Sequence, residues 1–149
     1  MLATCPLTID DSGGQSLDSI ASEAERLRDQ HGGLDLIVVD YIQIVKGRRD
    51  RNDTREMEVA NISGGLKQLA KSMGCPVMTG TQLNKSNSPR ESEAIIQDAD
   101  VLLFIHHDED AHGKKDDSAI HVGKMRNGKR GTVLPLVLDG SFQRFVTKF

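Results

Sequence analysis

The stretch that most constrains this chain is Leu34-Asp35-Leu36-Ile37-Val38-Val39-Asp40-Tyr41-Ile42-Gln43. Its apolar, β-prone core lacks polar alternation and ends in a single carboxylate, Asp40. Such a run is expected to be a strand buried on both faces, inside a parallel sheet covered by helices. In open α/β sheets, ligands bind just beyond the carboxyl ends of such strands. A carboxylate placed there suits a hard cation such as Mg²⁺ beside a nucleotide phosphate. That is the layout of a Walker B strand. The 149 residues contain no G-x-x-x-x-G-K-[ST] phosphate loop, however, so half of a nucleotide site is expected without the other half.

The remaining sequence bounds what can surround that strand. Aromatic residues make up only 3% of the chain, with no Trp, so aliphatic side chains must fill the core. The length suits one domain, spanning residues 1–149. No apolar run approaches the roughly 20 residues of a membrane span, and residues 1–7 do not read as a signal peptide. Cys5 and Cys75 are too few for a disulfide framework, and Cys75 is expected to be a core residue. A reducing cytoplasm fits best. A formal net charge of −3 excludes a polycation built to coat nucleic acid, so any DNA contact must come from local basic clusters.

Along the chain, Leu7–Ile9 reads as a short strand ending in Asp10-Asp11. Ser16 can cap a helix running to about Gln30. Val59, Ile62, Leu66, Leu69 and Met73 repeat at helical spacing within a second helix from about Thr54 to Met73. Pro76–Gly80 reads as a third strand, ending near Thr81-Gln82, and Val101–Ile105 as a fully apolar fourth. Ile120–Lys124, Thr132–Leu138 and Phe142–Val146 read as short strands joined by the turn pairs Asn127-Gly128 and Asp139-Gly140. The class is α/β: a mostly parallel sheet with a C-terminal antiparallel meander.

With Leu34–Gln43, Thr81-Gln82-Leu83-Asn84, Arg90-Glu91-Ser92 leading to Gln97-Asp98-Ala99-Asp100, and Gly123-Lys124-Met125-Arg126-Asn127-Gly128 in this order, the chain resembles the C-terminal motor domain of the DnaB family of replicative helicases. The resemblance covers nearly all of it. It implies part of a RecA-like P-loop NTPase core, here read as N-terminally truncated. It also implies ATP and Mg²⁺ as cofactors, single-stranded DNA as a partner, and a homo-oligomer in the form of a hexameric ring. A primase and a loader are further partners implied by the family.

The resemblance assigns roles residue by residue. Asp40 would hold the Mg²⁺, beside Tyr41 and Gln43, which follow in the family pattern. Gln82 would sense the terminal phosphate, an amide being able both to donate and to accept. Lys124 and Arg126 are two apart on a strand, so both side chains are expected to point to the same face. They would reach a neighbouring subunit's nucleotide as an arginine finger with a lysine companion. Arg90 and Glu91 lie where the family's channel loop meets DNA phosphates, and Glu93 stands where the family has a small glycine. Lys46, Arg48, Arg49 and Arg51 form the densest basic cluster and would line the same channel. Against these stand plainer readings: a strand-end Asp capping a turn, a solvated basic hairpin, a solvated basic loop. His106-His107, Asp108, Glu109, Asp110 and His112 offer ligand types without the spacing of an established zinc site.

Two functional classes follow: part of an ATP-dependent helicase, or a non-catalytic module that docks on a complete helicase subunit. Another RecA-like ATPase is a weaker alternative. The chain alone is expected not to hydrolyse ATP, because no phosphate loop supplies the amides and lysine that hold the β- and γ-phosphates. DNA-stimulated turnover by the purified 149 residues, above background and lost in Asp40→Ala, would overturn this.

Overall fold

The chain, described here from a computed structural model, is defined over residues 6–47, 53–83, 93–108, 117–139, 142 and 144–147. It divides into two compact units, Met1–Ile95 and Ile96–Phe149.

In the first unit, helix α1 spans Leu17–His31. The Ser16 hydroxyl accepts from the Ser19 amide at 3.1 Å, and Gly32 closes the helix in the left-handed region at φ 77°. Helix α2 spans Arg55–Met73, capped by Thr54 and ended by Gly74 at φ 66°. The periodicity read from the sequence holds: Val59, Ile62, Leu66, Leu69 and Met73 are all buried. Leu17, Ile20, Ala21 and Ala24 of α1 pack onto the same cluster. The helices approach so closely that a Cβ on Gly65 would lie 2.0 Å from Cδ2 of Leu17. This packing requirement explains a glycine in a helix interior, where it otherwise costs about 1 kcal/mol.

Strand β1 spans Ile37–Val39 and β2 spans Val77–Thr79. They pair in parallel with Ile37 opposite Val77 and Val39 opposite Thr79. The expectation of a strand covered on both faces is corrected here. Val39 is buried, but Val38 of β1 and Met78 of β2 are 61% and 59% exposed, so among the described residues only one face is covered. Leu7–Ile9 forms no strand either; it is exposed irregular chain. Cys75 is a core residue, its thiol pKa raised first by burial and then by Asp35.

The second unit is a four-stranded antiparallel meander: β3 Val101–Asp108, β4 Asp117–Met125, β5 Val133–Asp139 and β6 Arg144–Thr147, in that order. The α/β class therefore holds, with a parallel part and a C-terminal meander. The balance differs from expectation, since the parallel part has two described strands and the antiparallel part four. The apolar run beginning at Val101 accounts for this. It leads the meander, with Val101, Leu103 and Ile105 each about half exposed or more. The β4–β5 connection also differs from a tight Asn127-Gly128 hairpin. Its ladder ends at His121 opposite Val133, and Gly131, at φ 79°, takes the left-handed conformation. Gly128 answers a packing need instead, as a Cβ there would fall 2.4 Å from Sδ of Met125.

The first unit's stability rests on the α2 face. Ile62, 1% exposed, should lose about 3 kcal/mol on substitution by alanine. Met57, on the same helix but 51% exposed, should lose less than about 0.5 kcal/mol. Urea titration of Ile62→Ala and Met57→Ala, followed by circular dichroism, checks the contrast.

Candidate functional site

Parallel strands end at the same edge, and the register Val39 opposite Thr79 fixes which residues meet there. The Thr79 hydroxyl donates to the Val39 carbonyl at 2.8 Å, and the Ile42 amide donates to the Gly80 carbonyl at 3.1 Å. Asp40 thus stands beside Gly80. A Cβ built on Gly80 would come within 3.9 Å of Oδ1 of Asp40. Asp40 is exposed at this edge, as is Gln82, two residues beyond Gly80. The Asp40–Tyr41 peptide is cis.

Immediately after Asp40 a single 3-10 turn, Ile42–Ile44, brings the chain back against α2. Ile42 is 1% exposed and anchors the turn in the core. Gln43 donates from Nε2 to the Thr81 hydroxyl at 2.9 Å, tying the segment after β1 to the segment after β2. Its Oε1 is buried without a partner among the described residues. Arg55, in the first turn of α2, donates from Nη2 to the Gln43 carbonyl at 2.5 Å and pairs through Nη1 with Glu58 at 2.8 Å. Glu58 is buried and also accepts from the Gly47 amide at 3.3 Å. A buried carboxylate is tolerated when charge and hydrogen bonds compensate it, as here. Arg55 and Glu58 are not singled out by the sequence, and Thr81 is marked there only as part of a motif, without a role; the signals available were the family patterns at Gln43 and Thr81.

As a metal site the edge offers one carboxylate. Among the described residues no group of three His, Cys, Asp or Glu side chains is arranged to hold a metal. A single carboxylate fits Mg²⁺, which keeps several waters and takes its remaining ligands from substrate phosphates.

The other predicted pair lies in the second unit. Helix α3, Glu93–Asp98, leads through Asp100 into β3. Lys124 donates from Nζ to the Ile96 and Gln97 carbonyls at 2.6 and 2.9 Å. A cation is favoured on these last carbonyls of a helix. The β3–β4 register slips between Leu102 opposite Lys124 and Leu103 opposite Val122, which leaves Gly123 as the extra residue of a bulge. A Cβ at Gly123 would strike the Phe104 ring at 2.4 Å. The expectation that Arg126 shares a strand with Lys124 is corrected: β4 ends at Met125, and Arg126 lies in the turn that follows. Its amide donates to the Asp100 carbonyl at 2.8 Å, and its Nη1 pairs with Oδ1 of Asp100 at 3.0 Å. The structure therefore places Asp40 beside Gly80, with Gln82 two residues further along the chain, in one unit, and Lys124 and Arg126 in the other.

Of the basic positions read as a DNA channel, only Lys46 is described. Its amide donates to the Gln15 carbonyl at 2.9 Å, and its Nζ would lie 2.8 Å from a Cβ on Gly14. Arg48, Arg49, Arg51, Arg90 and Glu91 lie outside the described residues. Glu93 is exposed at the start of α3.

The Gln43–Thr81 bond yields a test. Thr81→Val removes the hydroxyl that accepts from the Gln43 amide, whose Oε1 is unpaired among the described residues, and should cost about 1–2 kcal/mol. Gln43→Met removes both polar atoms at once and should cost less. Chemical denaturation of both variants checks the order; equal costs would show that the bond does not brace the site.

The profile of DnaB-like helicase C-terminal domains matches residues 1–147. The replicative DNA helicase DnaB of Haemophilus influenzae is 39% identical over 93% of this chain and 32% of its own length. That of Geobacillus stearothermophilus is 33% identical over 97% of this chain and 35% of its own length. The chain thus spans about a third of these curated relatives. A solved DnaB-like replicative helicase, described with its interactions with primase, superposes with a TM-score of 0.88. It covers 99% of this chain and 38% of the solved one at 24% identity, a likeness of fold. The family match over nearly the whole chain, joined to relatives above 30% identity, places this chain in the DnaB-like helicase C-terminal domain family.

Proposed function

We propose that this chain forms part of an ATP-dependent replicative DNA helicase that works as a hexameric ring on single-stranded DNA in the cytoplasm. The observation that carries this reading is the parallel β1–β2 register, which sends the segments bearing Asp40 and Gln82 out at the same carboxyl edge, in a chain of the DnaB-like family. A magnesium–nucleotide bound there supplies charge neutralisation at the phosphates. Asp40 would hold its cation, and Gln82, exposed in the segment that follows β2, would donate its amide to the terminal phosphate. The Gln43–Thr81 bond and the Arg55–Glu58 pair keep these two strand ends in register. Arg126, with Lys124 beside it, would act on a nucleotide held by the neighbouring subunit. Arg90, Glu91, Lys46, Arg48 and Arg49 would face DNA phosphates in the channel. Primase and a loader would be partners of the complete protein. No described helix is long and apolar enough to cross a membrane.

The test uses a full-length DnaB helicase carrying residues 1–149 in place of its own corresponding segment. Arg126→Ala should lower turnover by about 10³-fold or more while nucleotide affinity is mostly retained, because the contact matters chiefly in the transition state. Arg126→Lys should fail too, since an ammonium cannot reproduce the two-pronged contact. Mixing either variant with a phosphate-loop mutant should restore some activity at shared interfaces. Normal turnover in Arg126→Ala would sink the interfacial assignment.

A further inference from the structure

The residues that the finger reading sends across the interface are held in this structure by their own chain. Three hydrogen bonds tie residues 124–126 to the corner between α3 and β3: Lys124 Nζ to the Ile96 and Gln97 carbonyls, and the Arg126 amide to the Asp100 carbonyl. These ties fix Asp100 opposite Arg126. The ion pair between them is therefore more than a chance meeting of two flexible surface side chains. Arg126 and Asp100 are each more than half exposed, at 57% and 52%, so an incoming anion can reach the guanidinium. The Lys124 ammonium, by contrast, already lies on two backbone carbonyls.

We propose that Asp100 is a latch that competes with phosphate for the Arg126 guanidinium, and that Lys124 acts by fixing the corner that carries this latch. The proposal rests on the finger reading and adds its regulation. A phosphate oxygen and the Asp100 carboxylate are the same kind of acceptor for Arg126. With no anion present, the carboxylate occupies the guanidinium. A polyphosphate of higher charge displaces it, and the finger leaves its own corner only when a nucleotide faces it. Because the pair is exposed and screened by water, the latch must be weak, and phosphate has only a modest competitor to overcome. The bulge at Gly123 contributes by setting the direction of Lys124, whose carbonyl bonds keep the corner in place.

Inorganic triphosphate is the probe, titrated calorimetrically into the 149-residue chain at low ionic strength. Asp100→Asn keeps the side-chain shape and leaves the backbone bond from Arg126 intact. It should tighten triphosphate binding roughly twofold to fivefold, the range an exposed ion pair can supply. The gain should vanish in the Asp100→Asn, Arg126→Ala double variant when compared with Arg126→Ala alone. A gain that persists without Arg126 would mean that Asp100 acts only through general charge, and the latch would be wrong. Unchanged affinity in Asp100→Asn, with binding still weakened by Arg126→Ala, would also overturn the latch while leaving the finger intact. Equal affinity of the parent chain and Arg126→Ala would also overturn the latch, because Asp100 would then have no phosphate contact to compete with; the finger reading, whose contact matters chiefly in the transition state, stands or falls on turnover instead.

Discussion

The first unit's site depends on one pairing, that of Ile37–Val39 with Val77–Thr79 in parallel. Direction and register together decide that Asp40 and Gly80 leave the sheet at the same edge and side by side. An antiparallel pair would have sent the two strand ends to opposite edges. A slip of one residue would have turned Val39 out of the core and its exposed neighbour Val38 in. The burial pattern resists that slip, because Val39 belongs to the cluster formed by Ile42, Val59, Ile62 and Leu66, while Val38 faces outward.

Strands this short cannot hold such a register through their own ladder, since only three residue pairs define it. The remaining support comes from beyond the strand ends. Ile42 plugs the core one residue after the cis peptide, and its amide returns to the Gly80 carbonyl. Gln43 reaches Thr81, and Arg55 reaches the Gln43 carbonyl while paired with the buried Glu58. The first turn of α2 thus connects the helix that fills the core with the loop that carries Asp40. Polar groups placed like this are costly if any partner is missing, which is why they act together in fixing a single geometry.

The helices were legible in the sequence because each carries its own signals. Ser16 and Thr54 cap the starts, Gly32 and Gly74 the ends, and the spacing of Val59, Ile62, Leu66 and Leu69 marks the buried face. Strand placement was legible only in part. An unbroken apolar run such as Leu36–Val39 says that the segment is β-prone but not how many layers cover it, and one face proved uncovered among the described residues. Val101–Ile105 looked like a similar strand, yet its partner is β4, running antiparallel. Long-range partner choice is not written into a strand's own composition. Within the candidate site, motif order singles out Asp40 and Gln82, and the two follow strands that end at the same edge. Thr81 and Asp100 lie in the same motif stretches, but their bonds to Gln43 and Arg126, like that of Arg55 to Gln43, were not legible because they join segments apart in sequence.

The second unit shows how a local irregularity can direct a side chain. A regular β4 would alternate faces without interruption from Ser118 to Met125. Gly123 breaks that alternation, and the Phe104 ring fills the space a side chain there would need. Lys124 consequently meets the end of α3 instead of continuing the ladder's pattern. Once its ammonium lies on the Ile96 and Gln97 carbonyls, the chain that follows passes Asp100 closely enough for the Arg126 amide to bond the carbonyl there. The guanidinium is then delivered to the carboxylate of the same residue. A glycine without a side chain, a lysine satisfied by backbone and an aspartate at a helix-to-strand corner therefore form one sequence of causes ending at Arg126. Arg126 closes that series with an exposed guanidinium paired to the Asp100 carboxylate, a side-chain partner that an anion can replace, and the proposed competition with phosphate rests on that arrangement.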